Sequence, residues 1–174
     1  MMKRVLSALC LLSTLALTGC ATSYSWTPRV PEKMRTVAVP TFRNESDLSE
    51  MGAMATRQVL RELQREGTFS IRRADEAALE IQGVVKSVST GTTVTSRRTG
   101  ARATSADITA EVEVSVVDKR EGKVLVEAKI YRPRTTLMAN SDMTTAKRDA
   151  SGRLADELAR AVVDDLLNMK WSKE

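Results

Sequence analysis

Ile108, Ala110, Val112, Val114 and Val116 alternate with Thr109, Glu111, Glu113 and Ser115. That two-residue period commits the segment to a strand with one face in a core, because a slip of one residue would turn every apolar side chain to water. Two weaker runs flank it. Leu79, Ile81, Gly83 and Val85 alternate with Glu80, Gln82 and Val84, and Val124, Val126, Ala128 and Ile130 alternate with Leu125, Glu127, Lys129 and Tyr131. Asp118–Gly122 reads as a compact hairpin connection between the last two runs, and Pro133 ends the final strand.

These strands lie between two segments of helical period. Leu48, Met51, Ala55, Val59 and Leu63 make one apolar stripe, Asp47 and Glu50 resemble a capping box, and Gly67 is a natural stop, which predicts a helix over 48–66. Met143, Ala150, Leu154, Leu158, Ala161, Val162, Leu166 and Met169 predict a second helix over 143–169, weakened by roughly 1 kcal/mol at Gly152. Thr36–Phe42 is a short β-branched run stopped by Pro40, followed by a polar loop over 43–47. The order is β-α-β-β-β-α. Each helix has one apolar face and so does the sheet, so the expected fold is α+β, a two-layer sandwich with both helices on one face of a four-stranded sheet.

The first twenty residues are an address. Lys3 and Arg4 precede an uncharged, mostly apolar run from Val5 to Leu17, the length of a signal-peptide core and short of the ~20 residues a spanning helix needs. Leu17-Thr18-Gly19-Cys20 resembles the bacterial lipobox. Residues 1–19 are thus expected to be a lipoprotein signal peptide, residues 20–34 a lipidated Cys20 and its tether, and residues 35–171 a single domain. Cleavage there leaves Cys20 as the only cysteine and lowers the net charge from +5 to about +3. Ala21, in place of an aspartate, points to the outer membrane by resemblance to enterobacterial sorting.

Composition narrows the chemistry. There is no histidine, hence no imidazole base, no Ser-His-Asp triad and no His-bearing zinc site. Six scattered aromatics make a stacking platform for nucleic acid an unfavoured reading. Gly122-Lys123 lacks the upstream glycine of a P-loop, and no Gly-x-Ser-x-Gly elbow occurs. Asp156-Glu157 and Asp164-Asp165 are neighbours at i,i+1, which a helix points apart. The reading contains no catalytic residue, metal site or cofactor.

The unusual stretch is Ser87–Ser105, with ten Ser or Thr residues and the arginines Arg97, Arg98 and Arg102. It reads either as a long solvated hairpin loop or as a polar finger whose guanidinium groups meet phosphate or carboxylate in pairs. Lys119, Arg120 and Lys123 form a second basic cluster on the neighbouring hairpin.

The lipobox, the short linker and the stretch Val30-Pro31-Glu32-Lys33-Met34-Arg35-Thr36-Val37-Ala38-Val39-Pro40-Thr41-Phe42-Arg43-Asn44-Glu45-Ser46 resemble the LPS-assembly lipoprotein family, LptE. The order of elements matches over nearly the whole chain. The resemblance implies an α/β sandwich anchored on the periplasmic side of the outer membrane. Its partners would be the β-barrel LptD, which it plugs, and lipopolysaccharide, which it helps insert into the outer leaflet. Arg97, Arg98, Arg102, Lys119, Arg120 and Lys123 are the candidates for contact with lipopolysaccharide phosphates, by chemical type and place. Lipoproteins of the CsgG and LpoB kind also open with a strand ending in Pro-Phe-x-Asn-x-Ser, so a regulatory lipoprotein that activates a cell-wall synthase is the alternative. Residues 21–34 span at most about 50 Å, a reach that favours a partner at the membrane. A secretion-pore subunit would need lipid-facing apolar hairpins, which 87–117 does not supply.

Overall fold

A computed structural model describes residues 30–98, 101–139 and 143–171, with side chains outside 92–104, 139 and 143. The fold is α+β, with two helices on a curled mixed sheet. Helix α1 is Met51–Glu66 and α2 is Met143–Asn168. Among the described residues there are seven strands: β1 (Thr36–Ala38), β2 (Arg43–Asn44), β3 (Ser70–Ile71), β4 (Leu79–Arg98), β5 (Ala101–Asp118), β6 (Lys123–Tyr131) and β7 (Arg134–Ala139). Among the described residues, no helix is long and apolar enough to cross a membrane.

The expected sheet of four strands is corrected here. The spatial order is β3-β1-β4-β5-β6, with β2 also on β4 and β7 also on β5. Seven strands make five tracks, because two tracks are each broken at a proline. β1 pairs with Leu79–Glu80 and β2 with Val84–Val85, both parallel to β4, on either side of Pro40. β6 pairs with residues 112–118 of β5 and β7 with 104–109, both antiparallel, on either side of Pro133. Pro133 has no N–H for a ladder, yet its carbonyl accepts from the Ala110 N–H at 3.1 Å, so the track resumes at once. β6 therefore ends just ahead of Pro133 as expected, but it is not the final strand, since β7 follows on the same partner. β3 carries the fifth track, parallel to β1. Two-residue strands such as β2 and β3 have no readable period.

Ser87–Ser105 is not a loop. β4 and β5 continue antiparallel through it, with Ser87 paired to Glu111, Thr95 to Thr104 and Arg97 to Arg102. Threonine and valine favour extended backbone whether or not a core lies beneath, so pairing persists after apolar alternation stops. Register shifts after Val85 and after Thr90 mark bulges.

One core joins the layers. Met51, Ala55, Val59 and Leu63 of α1 and Leu154, Leu158 and Val162 of α2 share one buried cluster with Ile81, Val85, Ile108, Val112 and Leu137 of the sheet. The two helices also pack on each other. That second contact widens the stripe of α2, adding Ala155, Ala159 and Val163, while Ala161 lies exposed. The core also reaches back to Val30, which is fully buried ahead of a 3-10 turn at Glu32–Met34.

The capping box does not form. Glu50 precedes α1 in helical conformation without a side-chain cap bond. Asn44 organises the approach instead: its amide donates to the Leu48 carbonyl at 2.8 Å, and its side-chain oxygen accepts from the Ser46 hydroxyl at 2.7 Å. Gly67 closes α1 as expected, at φ 82° with its N–H on the Leu63 carbonyl at 3.1 Å.

Phe42, nearly fully buried between α1 and the sheet, is held by two glycines. A Cβ on Gly83 would lie 2.3 Å from its ring, and one on Gly52 would lie 2.5 Å from its carbonyl oxygen. Its N–H donates to the Thr56 hydroxyl at 2.9 Å, which in turn donates to the Gly52 carbonyl at 2.9 Å.

Candidate functional site

The candidate basic residues fall at opposite ends of one hairpin. Arg97 and Arg102 are register partners near the β4–β5 tip, and Arg98 is paired with Ala101. Lys119, Arg120 and Lys123 lie around the β5–β6 turn, at the other end of the eighteen-residue strand β5. At ~3.3 Å per residue the two clusters are roughly 50 Å apart. One phosphorylated headgroup cannot touch both. Cys20 lies outside the described residues.

At the tip, the ladder is open on one side. Among the described residues, the pairing of β2 with β4 ends at Val85, and no other strand lies on that edge as far as Arg98. The opposite edge of β5 is covered by β7 from Thr104 to Thr109. The arm thus offers a row of unpaired backbone groups along a stretch rich in serine and threonine.

At the other end, two of the three cations are engaged within the chain. Lys119 Nζ donates to the Ala74 carbonyl at 2.5 Å and pairs with Glu80 at 3.1 Å. Arg120 pairs with Asp118 at 3.2 Å, and its N–H donates to the other Asp118 oxygen at 2.9 Å. Lys123 makes no ion pair among the described residues. The partners Glu80 and Asp118 could not be assigned from the sequence, because nothing local marks either as the acceptor.

Asp118 is buried, at 1% side-chain exposure. Burial alone pushes its carboxyl up, but the Arg120 guanidinium and N–H outweigh it and hold the group below the usual aspartate range. Folded Asp118 therefore binds a proton less readily than unfolded Asp118. The stability it lends is complete above the unfolded aspartate value of about 4 and drains away as pH falls through the lowered folded value. Asp118→Asn is expected to destabilise the chain at pH 7 and to cost less as acid is added, read from urea midpoints between pH 7 and pH 3. An unchanged pH dependence would show that the carboxylate is not what holds the turn.

A cluster missed by sequence reading fastens β6 to α2. Tyr131 Oη donates to Asp165 at 2.6 Å, Lys129 Nζ donates to the same oxygen at 2.5 Å, and Lys129 sits 5.3 Å from the Tyr131 ring centre. Burial, then the Asp165 hydrogen bond and charge, push the tyrosine hydroxyl far above its ordinary range, so it stays protonated. A bulge opposite Ser115 brings Lys129 and Tyr131 to this position: Ala128 takes φ 45° and its N–H donates to Ser115 Oγ at 3.0 Å. This arrangement is a clasp. Among the described residues no group of three or more acidic or cysteine side chains gathers as a metal site.

A cleft of about 270 Å³ opens at the β5–β6 end, where the turn before β1, the β5–β6 turn and the segment after α2 converge. Lys33, Arg120, Lys123 and Lys170 line it, opposed by Asp118 and Glu121. Leu125, Met169 and Trp171 form its apolar wall.

Residues 34–169 match the family described as LptE, lipopolysaccharide-assembly. No curated protein matches the chain. Among solved structures, the chain resembles a minor lipoprotein from Acinetobacter baumannii at 9% identity and TM-score 0.42, covering 78% of this chain and 94% of that one. It also resembles the hypothetical protein CT253 from Chlamydia trachomatis at 14% identity and TM-score 0.46, covering 79% and 98%. A third likeness is to the PelC dodecamer from Paraburkholderia phytofirmans, at 16% identity and TM-score 0.40, covering 74% and 91%. None of these three likenesses carries an argument about activity.

Proposed function

We propose, from the premise that this chain belongs to the LptE lipopolysaccharide-assembly family, that it sits within the LptD β-barrel in the outer membrane. There it would support barrel assembly and help deliver lipopolysaccharide to the outer leaflet, without catalysing a reaction. The observation that carries this reading is the family match over residues 34–169, which takes in the whole of the sandwich. The β4–β5 arm supports it physically. A barrel lumen is polar and wet, so a plug should offer polar groups in place of apolar side chains, and the open edge of β4 offers backbone groups along a serine- and threonine-rich stretch. The short segment between Cys20 and the domain favours a partner at the membrane over one across the cell wall.

Of the six candidate cations, the arm-tip residues Arg97, Arg98 and Arg102 are the ones proposed to meet lipopolysaccharide phosphates. Arg97 and Arg102 are register partners and Arg98 pairs with the neighbouring Ala101, so three cations of the sequence belong to one place on the arm. Lys119 and Arg120 already have carboxylate partners and are weaker candidates. Acylation at Cys20, on the periplasmic side, would hold the chain at the membrane.

The test is capture of the tagged, acylated chain from detergent-solubilised outer membranes. The LptD barrel is expected in the captured material, with acyl mass on Cys20. Capture of the chain without a barrel would overturn the reading. For the arm, each charge-assisted contact is worth about 1.5–3 kcal/mol, less where salt screens it. Replacing Arg97, Arg98 and Arg102 together by alanine is expected to weaken lipopolysaccharide binding more than tenfold, with the urea midpoint little changed. Unchanged binding at low and at physiological salt would remove these three residues from the proposal.

A further inference from the structure

We propose that the end of the sandwich built around Lys123, Lys170 and Trp171 rests on the anionic phospholipid headgroups of the membrane to which Cys20 tethers the chain. The proposal rests on the Cys20 anchor proposed above.

Three independent observations converge on this surface. The first is charge. Among the described residues neither Lys123 nor Lys170 makes an ion pair, although both line the same cleft. Lysines left unpaired beside an apolar wall are placed to meet anions brought from outside. The second is the indole. Trp171 packs against the core edge, and its Nε1 is buried without a hydrogen-bond partner. It is the one such side-chain atom among the described residues. An indole N–H costs free energy when buried unpaired. The ring makes no hydrogen bond that a contact with lipid would have to break, and headgroup oxygens would supply an acceptor for its N–H. Tryptophan is the side chain that favours this apolar-to-wet boundary. Val124, next to Lys123 on β6, is half exposed and adds apolar surface at the same end.

The third observation is where the chain arrives. Pro31 lines the same cleft, and Val30 before it is buried in the core. Nine residues lie between Cys20 and Val30, at most about 35 Å of chain from one to the other. The lipid surface is therefore held within reach of this end of the domain, whereas the arm tip lies roughly 50 Å further along β5.

The experiment uses the chain from residue 20 onward carrying Cys20→Ser, so that no acyl group contributes, and Trp26→Phe, so that Trp171 is the sole tryptophan. It is floated with vesicles of phosphatidylethanolamine, with and without phosphatidylglycerol. Binding is expected only when phosphatidylglycerol is present, and Trp171 fluorescence should be quenched when that lipid carries brominated chains. Each basic residue near an anionic surface is worth about fivefold in binding, so Lys123→Ala with Lys170→Ala should weaken it about thirtyfold. The control pair Lys147→Ala with Arg148→Ala removes the same charge near the other end of α2 and should change binding by less than about threefold. Flotation with both vesicle types alike, no quenching, or equal losses from the two pairs would overturn the proposal. Because the protein tested carries no acyl group, a failure of Cys20 modification in membranes would be read separately, by mass.

Discussion

Leu158→Asp is expected to leave the chain largely unfolded in the absence of denaturant. Leu158 is fully buried in α2, in the same core cluster as Ile108 and Val112. The substitution removes a side chain whose loss alone costs about 3–5 kcal/mol. It also forces a carboxyl into a site with no partner, at a further cost of a few kcal/mol even if the group stays protonated. The sum approaches the whole stability of an ordinary domain, about 5–15 kcal/mol. Arg160→Asp, two residues on, tests the direction of the helix. Arg160 is exposed and its ion partner is Asp156, one turn back. Its loss should cost less than about 1 kcal/mol, because exposed pairs contribute little. Urea melts of the two variants separate the cases, and equal damage would mean that the buried face of α2 is wrongly assigned.

The second large effect is expected at Gly83. Any side chain there meets the Phe42 ring at 2.3 Å, and the ring has nowhere to go. Its own backbone is pinned to Thr56 on one side and lies against Gly52 on the other. Gly83→Val should therefore cost about 3 kcal/mol or more, roughly a 10 °C fall in Tm for a domain of this size. Phe42→Ala should cost about 3–5 kcal/mol by leaving a cavity. The double variant provides the decisive measurement: valine fills part of the space that phenylalanine vacates, so the combined loss should fall short of the sum by 1 kcal/mol or more. Strict additivity would show that the two residues do not share that space.

These two sites mark where the sequence is legible and where it is not. The alternation over 108–116 and the stripe through Leu154 and Leu158 identify their buried faces correctly, because periodicity reports directly on which side chains need a core. Gly83 is readable only as one more position in an alternating run, since the reason for a glycine there is an aromatic ring forty-one residues earlier. Ser87–Ser105 reads as a loop for a related reason. Apolar alternation signals burial, and this stretch of sequence lacks it although its backbone pairs, so that backbone order leaves no such mark. Pro133 reads as a stop because its missing N–H interrupts a ladder, whereas the same proline lets β7 continue along β5. For the site, the two basic clusters are visible as composition. Their separation along β5, and the engagement of Lys119 and Arg120 by Glu80 and Asp118, arise only from the fold.

The break of the inner track at Pro40 bears on the order in which this protein can fold. β4 and β5 are neighbours in sequence and can zip from their turn, closing only short loops. β1 must instead find Leu79 from Val37, across forty-one intervening residues that include the whole of α1. Closing that loop is slow relative to the hairpin. Once it closes, the Thr36 hydroxyl accepts from the Ala78 N–H at 2.9 Å and seals the pairing. The two short segments on either side of Pro40 dock as separate pieces, so neither gains the cooperativity of one long strand. The amino-terminal track is synthesised first, yet it joins the sheet only once β4 is available, and β3 joins through it. A nascent chain therefore carries its Val-Ala-Val-Pro segment without its sheet partners until β3 and the start of β4 have been synthesised.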